Sequence, residues 1–295
     1  MRFFVYLPLL LSLVVPLVTT RMARWLPPDL AARTATAGAA ISAVAYAASL
    51  TMLSLTLFDD LPPLSAFDHR SELPRPVPGW LAAFAALALL AGGIRVVADL
   101  VRRTWLRRDL RAMGVSRAGI AVADVSEPFA VAVPGRPGHV LVTSGMLRLL
   151  DDRERGVMLA HERSHLLRHH HRLVAITGSA AAMNPLLARV PALVAFLVER
   201  WADEDAAART GDRQLVARTV AKASLAARGR NALPVMGLHG SRAVDRVAAM
   251  TEPKGPKRWG SLAGIVALAM AQVLATGLAV AEFVAVAGSW LGLVS

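Results

Sequence analysis

Four stretches of the chain are almost entirely apolar and long enough to cross a lipid bilayer. A bilayer core requires about 20 apolar residues in a helix, and the candidate spans lie at about residues 3–18, 36–58, 80–101 and 261–281. The first stretch follows Arg2, as in a secretory signal peptide, but no small-residue cleavage site precedes Arg21 and another apolar stretch follows soon after. The pattern therefore predicts four retained transmembrane helices. Within the third, Arg95 and Asp99 are four residues apart and are expected to pair.

Between the third and fourth stretches the pattern becomes that of a small folded domain. Asp151, with Glu154 three residues later, predicts the start of a helix. Helical patterns continue from there, with breakers at Asn184-Pro185 and Gly211. Three short Val-rich runs predict the strands of a small β-meander: Gly119–Val125, Pro128–Val133 and His139–Ser144. We therefore expect a mainly α-helical integral membrane protein, with three transmembrane helices in residues 1–101, an α+β domain in 102–260 and a fourth helix with a short tail in 261–295.

The charge pattern predicts how the chain lies in the membrane. The formal net charge is +12, but the basic residues flank the apolar stretches, so we expect no direct nucleic-acid binding. Residues 21–33 carry three arginines against one aspartate, whereas residues 59–79 carry four acidic residues against two arginines. The positive-inside rule then predicts a multi-pass protein of the cell membrane, with residues 102–260 in the cytoplasm and both termini outside.

One short motif carries candidate chemistry. The chain has no cysteine, so a metal would be held by histidines and carboxylates. His161 and His165 stand four residues apart in an H-E-x-x-H pattern, which places both imidazoles on one helical face. Such ligands suit zinc, and Glu162 between them is the candidate general base. The pattern arises by chance in about one per hundred or more such sequences, so a third ligand is needed to strengthen the prediction.

Three residues are candidates for the third ligand. His169 lies about 12 Å along the helix axis from His161, which is too far for one tetrahedral ion, and residues 169–171 are expected to form an exposed cluster. Glu199 is better placed if the motif helix runs on to Asn184-Pro185 and the chain turns back there. Asp203, four residues later, would then accept the outer N–H of His161. Glu204 is the alternative ligand, and an ordinary solvated helix face is the alternative for the whole acidic run.

These motifs together resemble the BlaR/MecR-type membrane metallopeptidases and, more distantly, the HtpX-type and CAAX-prenyl-type proteases. The segments that carry the resemblance are Val142–Gly145, Leu149–Asp152, Ala160–His165, Asn184-Pro185 and Glu199–Asp203. The resemblance covers most of the chain and implies a gluzincin-like domain with one zinc ion, whose E-x-x-x-D element matches Glu199 and Asp203. BlaR/MecR receptors carry an external penicillin-binding sensor after the fourth helix, and we expect this chain, which ends at Ser295, to lack one.

The sequence leaves several functions open. The leading hypothesis is a zinc-dependent endopeptidase, active on the cytoplasmic side, that cleaves a repressor-like protein such as a winged-helix transcriptional repressor. The alternatives are membrane-protein quality control of the HtpX type and a catalytically silent signalling scaffold. We expect the substrate backbone to add to the sheet along His139–Ser144, and His239, Arg242 and Arg246 to be candidates for stabilising the oxyanion. The apolar segment 173–198 either forms a buried hairpin or enters the bilayer.

Overall fold

A computed structural model describes residues 4–58, 77–114, 116–228, 243–251 and 259–290. The long helices of the first part are α1 (Leu7–Ala23), α2 (Pro28–Leu55) and α3 (Gly79–Ala112). The strands follow as β1 (Ile120–Ala123), β2 (Ala130–Val133) and β3 (His139–Thr143). The remaining helices are α4 (Ser144–Leu149), α5 (Asp152–Leu167), α6 (His170–Met183), α7 (Val190–Thr210), α8 (Arg213–Arg228), α9 (Ala243–Thr251) and α10 (Trp259–Trp290).

Within the described ranges, four helical segments are long and apolar enough to span a membrane: Phe4–Arg21, Pro28–Leu55, Gly79–Ala112 and Trp259–Ala285. Each overlaps one of the four predicted stretches, although the second begins eight residues earlier and the third ends eleven residues later than predicted. The predicted pair inside the third is wrong, because Asp99 contacts Arg103 at 2.6 Å while Arg95 donates to the carbonyl of Ala91. Arg103 also donates to the Ala175 carbonyl of α6 at 2.6 Å. Asp99 therefore supports an arginine that binds the neighbouring helix.

The three strands form a mixed sheet in the order β1-β3-β2. β1 runs parallel to β3, and β2 runs antiparallel to it. The predicted meander is therefore wrong, and so is the expectation that His139–Ser144 is the sheet edge, since β3 is paired on both sides. Every residue of β3 is buried. A strand buried on both faces favours the centre of a sheet, so the edges are left to β1 and β2.

The helix that carries the H-E-x-x-H motif begins as predicted but ends early. Asp151 accepts from the Glu154 N–H, and Glu154 accepts in return from the Asp151 N–H, each at 2.9 Å. This reciprocal cap fixes the start of α5. The expected run of the helix to Asn184-Pro185 is wrong, because α5 ends at Leu167 and His169 has a left-handed φ of 55°. The chain bends there and continues as α6.

Helices α6 and α7 form a hairpin whose tip is a 3-10 turn at Pro185–Leu187. The hairpin packs against the candidate membrane helices, and the shared core draws on α1, α2, α6, α7 and α10. Alanines on one face of α2 let the hairpin approach closely: Ala31, Ala32, Ala35, Ala39 and Ala43. On α3, a Cβ at Gly92 would lie 2.8 Å from Met183 Sδ and 3.1 Å from the Met183 carbonyl oxygen. The apolar segment is therefore a hairpin packed within the helical bundle.

We expect Gly92→Leu to loosen the hairpin from α3, because the new side chain meets Met183. Overpacking of this kind costs about 1–3 kcal/mol, which thermal unfolding of the detergent-solubilised chain would register as a lowered midpoint. The matched control is Gly93→Leu on the same helix, where a Cβ meets nothing within 4 Å. Equal melting of the two variants would contradict the close approach.

Candidate metal centre

Three side chains from two helices converge on one point. α5 presents His161 and His165 on one face, and α7 lies alongside and presents Glu199. His161 Nε2 lies 3.1 Å from His165 Nε2. The Glu199 carboxylate completes a triangle, with Oε2 3.4 Å from His161 Nε2 and Oε1 3.5 Å from His165 Nε2. The structure thus brings together the three residues that the spacing selected, and their ligand atoms lie within 4.8 Å of one another.

The dimensions of this triangle fit zinc. Around a tetrahedral ion with bonds of roughly 2.0–2.1 Å, neighbouring ligand atoms lie roughly 3.3–3.4 Å apart. The three nearest contacts, of 3.1, 3.4 and 3.5 Å, lie close to that spacing, with the two Glu199 contacts ending on different oxygens of its carboxylate. Two imidazoles and one carboxylate are also the donor set of catalytic zinc sites, which keep a fourth position open. The residues present therefore fit a zinc ion by both chemistry and geometry.

Asp203 contacts His161 at Nδ1, the ring nitrogen that faces away from the centre. Its Oδ1 lies 3.0 Å from His161 Nδ1, and the aspartate is fully buried. Asp203 accepts the Nδ1–H, which leaves the lone pair of His161 on Nε2, facing the centre. The structure brings Asp203 to the ring nitrogen that the sequence selected for it, and its role in orienting a metal ligand stays a prediction. A spacing of four places Glu199 and Asp203 on the same face of α7, so one helix presents both the candidate ligand and the carboxylate that orients its neighbour.

Arg246 of α9 balances the buried carboxylates. Its Nε and Nη2 each donate to Asp203 at 2.8 Å, and its Nη1 lies 3.0 Å from Glu199 Oε2. The arginine is itself buried. This bidentate contact favours a role in positioning the carboxylates, and the expected oxyanion role of Arg246 stays a prediction. His239 and Arg242, the other two candidates for that role, lie outside the described residues.

The electrostatics of the centre call for positive charge. Burial opposes a charge on His161, but hydrogen bonds and charges from Asp203 and Glu199 outweigh it and raise the pKa of His161 to about 10. Burial also opposes ionisation of Asp203, yet the Arg246 guanidinium lowers the pKa of that carboxyl. A centre that stabilises a proton on an imidazole this strongly is electrostatically suited to a cation.

The other three candidates from the sequence lie in different surroundings. Glu162, the candidate base, follows His161 on α5 and is half-buried. Glu204, the rival ligand, instead pairs with Arg213 at 2.6 Å. His169 is exposed and is not among the grouped ligands.

The expected exposed cluster at 169–171 is wrong for its middle member. His170 is only 1% exposed, and its Nδ1 lies 3.0 Å from His165 Nδ1. Burial lowers the pKa of His170 to about 4, which the charge of Glu199 only partly offsets, so the ring is neutral. Sequence reasoning missed it because it assumed an unbroken helix.

Comparison with known proteins agrees with this geometry. The model of peptidase family M48 matches residues 101–248, which is half of the chain. The chain belongs to peptidase family M48. The matched region runs from the end of α3 to α9 and so contains the whole centre. The family indicates a metallopeptidase, and its members are typically zinc-dependent. No curated protein matches the chain, and no solved structure matches it.

Loss of a converging side chain should remove the metal. We expect the parent M48 chain to carry about one zinc ion and His161→Ala and Glu199→Gln to carry far less, because two protein ligands hold zinc weakly compared with three. Elemental analysis of the purified proteins measures this. His169→Ala and the matched control Glu204→Gln should keep parental zinc. A normal zinc content in Glu199→Gln would remove this residue as a ligand.

Proposed function

We propose that this M48 protein is a membrane-embedded zinc-dependent endopeptidase that hydrolyses peptide bonds on the cytoplasmic side of the cell membrane. The observation that carries the proposal is the convergence of His161, His165 and Glu199, one ligand atom of each lying within 4.8 Å of the others. In this proposal these three residues are the ligands, Asp203 orients His161, and Arg246 fixes both carboxylates. The domain spans about 102–260, between three membrane helices in 1–101 and a fourth in 261–295.

The chain's own residues account for the remaining chemistry. Bound zinc would lower the pKa of water and polarise the scissile carbonyl. Glu162 then accepts a proton from the attacking water and delivers it to the leaving amide nitrogen. Because it directly follows His161 on α5, we expect it to lie beside the open coordination position. The arginine and the two buried carboxylates hold the ligands in place, so the site needs little rearrangement for the reaction.

The outer edge of β2 is the proposed docking strand for substrate. The Thr143 N–H donates to the Phe129 carbonyl, so in this antiparallel ladder residues 129, 131 and 133 bond to β3. Ala130 and Ala132 therefore point their N–H and C=O groups away from β3. No other described segment pairs with that edge. β2 also packs against α5, the helix that carries Glu162, so an extended peptide added there would run close to the centre.

The hairpin contacts support a site at the membrane surface. The tip of the α6–α7 hairpin meets α3 at Gly92, near the middle of that candidate span. Glu199 lies nine residues after Val190, the first residue of α7, which is about 14 Å by helical rise. A tip within the bilayer would then place the centre near the cytoplasmic surface. Membrane proteins, or soluble proteins recruited to the membrane, are the substrates that such a site reaches.

The biological role is proposed as regulatory cleavage of a repressor-like protein, following the resemblance to BlaR/MecR-type peptidases. The M48 match does not separate that role from quality control of the HtpX type. A cut in one DNA-binding repressor favours the first role, and broad clipping of misfolded membrane proteins favours the second. The catalytically silent scaffold is the competing non-enzymatic function, and the glutamate at 162 argues against it because a structural site needs ligands but no base.

Glu162→Gln should abolish peptide cleavage and keep the metal. Removal of a general base costs about 10²- to 10⁴-fold in rate, while the three proposed ligands are untouched. The measurement is a proteomic comparison of cells that carry the parent or the variant, combined with zinc analysis of both proteins. Glu127→Gln, the same change at an exposed site, is the control. A variant that keeps its full biological effect would support the scaffold instead.

Ala132→Pro should weaken substrate binding without unfolding the domain. Proline removes only the N–H that points out of the sheet, and such positions tolerate proline. The loss of one main-chain hydrogen bond, about 0.5–1.5 kcal/mol, predicts a fall in kcat/KM of about 3- to 10-fold, mostly through KM. Ala132→Gly keeps the N–H and is the control. Parental kinetics in Ala132→Pro would exclude β2 as the docking strand.

A further inference from the structure

His170 is a buried histidine with one polar contact in the part of the chain that the structure describes. It follows the bend at His169, is 1% exposed, and its Nδ1 lies 3.0 Å from Nδ1 of His165. Its other ring nitrogen, Nε2, has no hydrogen-bond partner among the described residues. Burying an imidazole costs free energy unless its ring nitrogens form hydrogen bonds. The contact with His165 is therefore the polar interaction that compensates for burying this ring.

The two Nδ1 atoms determine each other's protonation. His165 directs Nε2 to the triangle with His161 and Glu199, so as a ligand it carries its lone pair on Nε2 and its proton on Nδ1. That Nδ1–H then donates to Nδ1 of His170, which must carry its own proton on Nε2. With its proton on Nε2, the His170 ring offers a lone pair on Nδ1 that can accept this bond.

We infer that His170 is a positioning residue for His165, acting as Asp203 does for His161. The inference rests on the proposed metal role of His165. The two partners differ in charge. Asp203 is an anion already compensated by Arg246, whereas His170 fixes the direction of its neighbour without adding a third buried negative charge to Glu199 and Asp203. Second partners of this kind set the orientation and affinity of metal-binding histidines.

A tilted aromatic contact holds His170 in place. Its ring lies 4.6 Å from the Trp201 ring between centroids, and Trp201 follows Glu199 by two residues on α7. The guanidinium of Arg33, at the start of α2, lies 5.0 Å above the same indole. Cation–π contact of this kind favours a fixed indole. A candidate membrane helix and the ligand-bearing helix thus both contact the unit that orients His165.

The test separates the hydrogen bond from the packing. His170→Phe keeps an aromatic ring against Trp201 but offers no acceptor to His165. His170→Asn offers an amide oxygen near the position of the imidazole Nδ1 and sacrifices ring area. His169→Asn is the control, since asparagine tolerates the left-handed backbone at that exposed site. The full-length chain in detergent is assayed for its zinc dissociation constant by competition with a chromogenic chelator, and for the visible absorption of bound Co²⁺.

We expect His170→Phe to weaken zinc binding by about 10- to 100-fold and to alter the Co²⁺ spectrum, with His170→Asn recovering most of the affinity. Thermal unfolding of the metal-free chain should favour the Phe variant over the Asn variant, opposite to the order in zinc affinity. Parental zinc affinity in His170→Phe overturns the inference, as does an Asn variant no better than Phe. If His161→Ala also binds zinc normally, the proposed metal centre fails with it; if only His170→Phe does, the centre stands without this positioning residue.

Discussion

Buried negative charge is the constraint around which the centre is organised. Glu199 and Asp203 lie on one helix, almost without solvent, and ionised carboxylates in such a place must be compensated. Arg246 supplies one positive charge through three contacts. The negative charge that Arg246 leaves uncompensated favours a proton on the imidazoles or a cation bound between them. The same carboxylates thus tie α9 to α7, orient a histidine on α5 and create the electrostatic preference for a cation, so stability and chemistry share one set of contacts.

The parts of this arrangement that obey local rules were predictable from the sequence. A spacing of four put His161 with His165 and Glu199 with Asp203, and the cap at Asp151 fixed where the first of these helices starts. The contact between α5 and α7 was predicted by counting residues on either side of Asn184-Pro185. The structure has this contact, although the intervening helix is broken at His169. Despite the bend, α7 brings Glu199 and Asp203 to the histidines of α5.

The parts that depend on distant contacts were not predictable. Nothing in the polar run around His169 marks a helix end, because it contains no Gly, Pro or Asn, and so the inward turn of His170 was missed. The order of the strands was missed for a related reason, since three Val-rich runs look alike until burial selects the central one. Arg246 was noticed as a basic residue near the site, but its bidentate contact with Asp203 needs the fold of α9 against α7.

A helix hairpin of fixed length has a further consequence for how such a protein can diverge. One residue inserted between the hairpin tip and Glu199 would shift this carboxylate by about 1.5 Å along the axis and rotate it by about 100°, away from the histidines. The distance of Glu199 from the hairpin tip and the face of α7 on which it lies therefore cannot change independently. About seven residues, two helical turns, restore the phase and change the reach by about 10 Å. Chains that differ by about that step would keep the carboxylate facing the histidines, whereas intermediate spacings would turn it away.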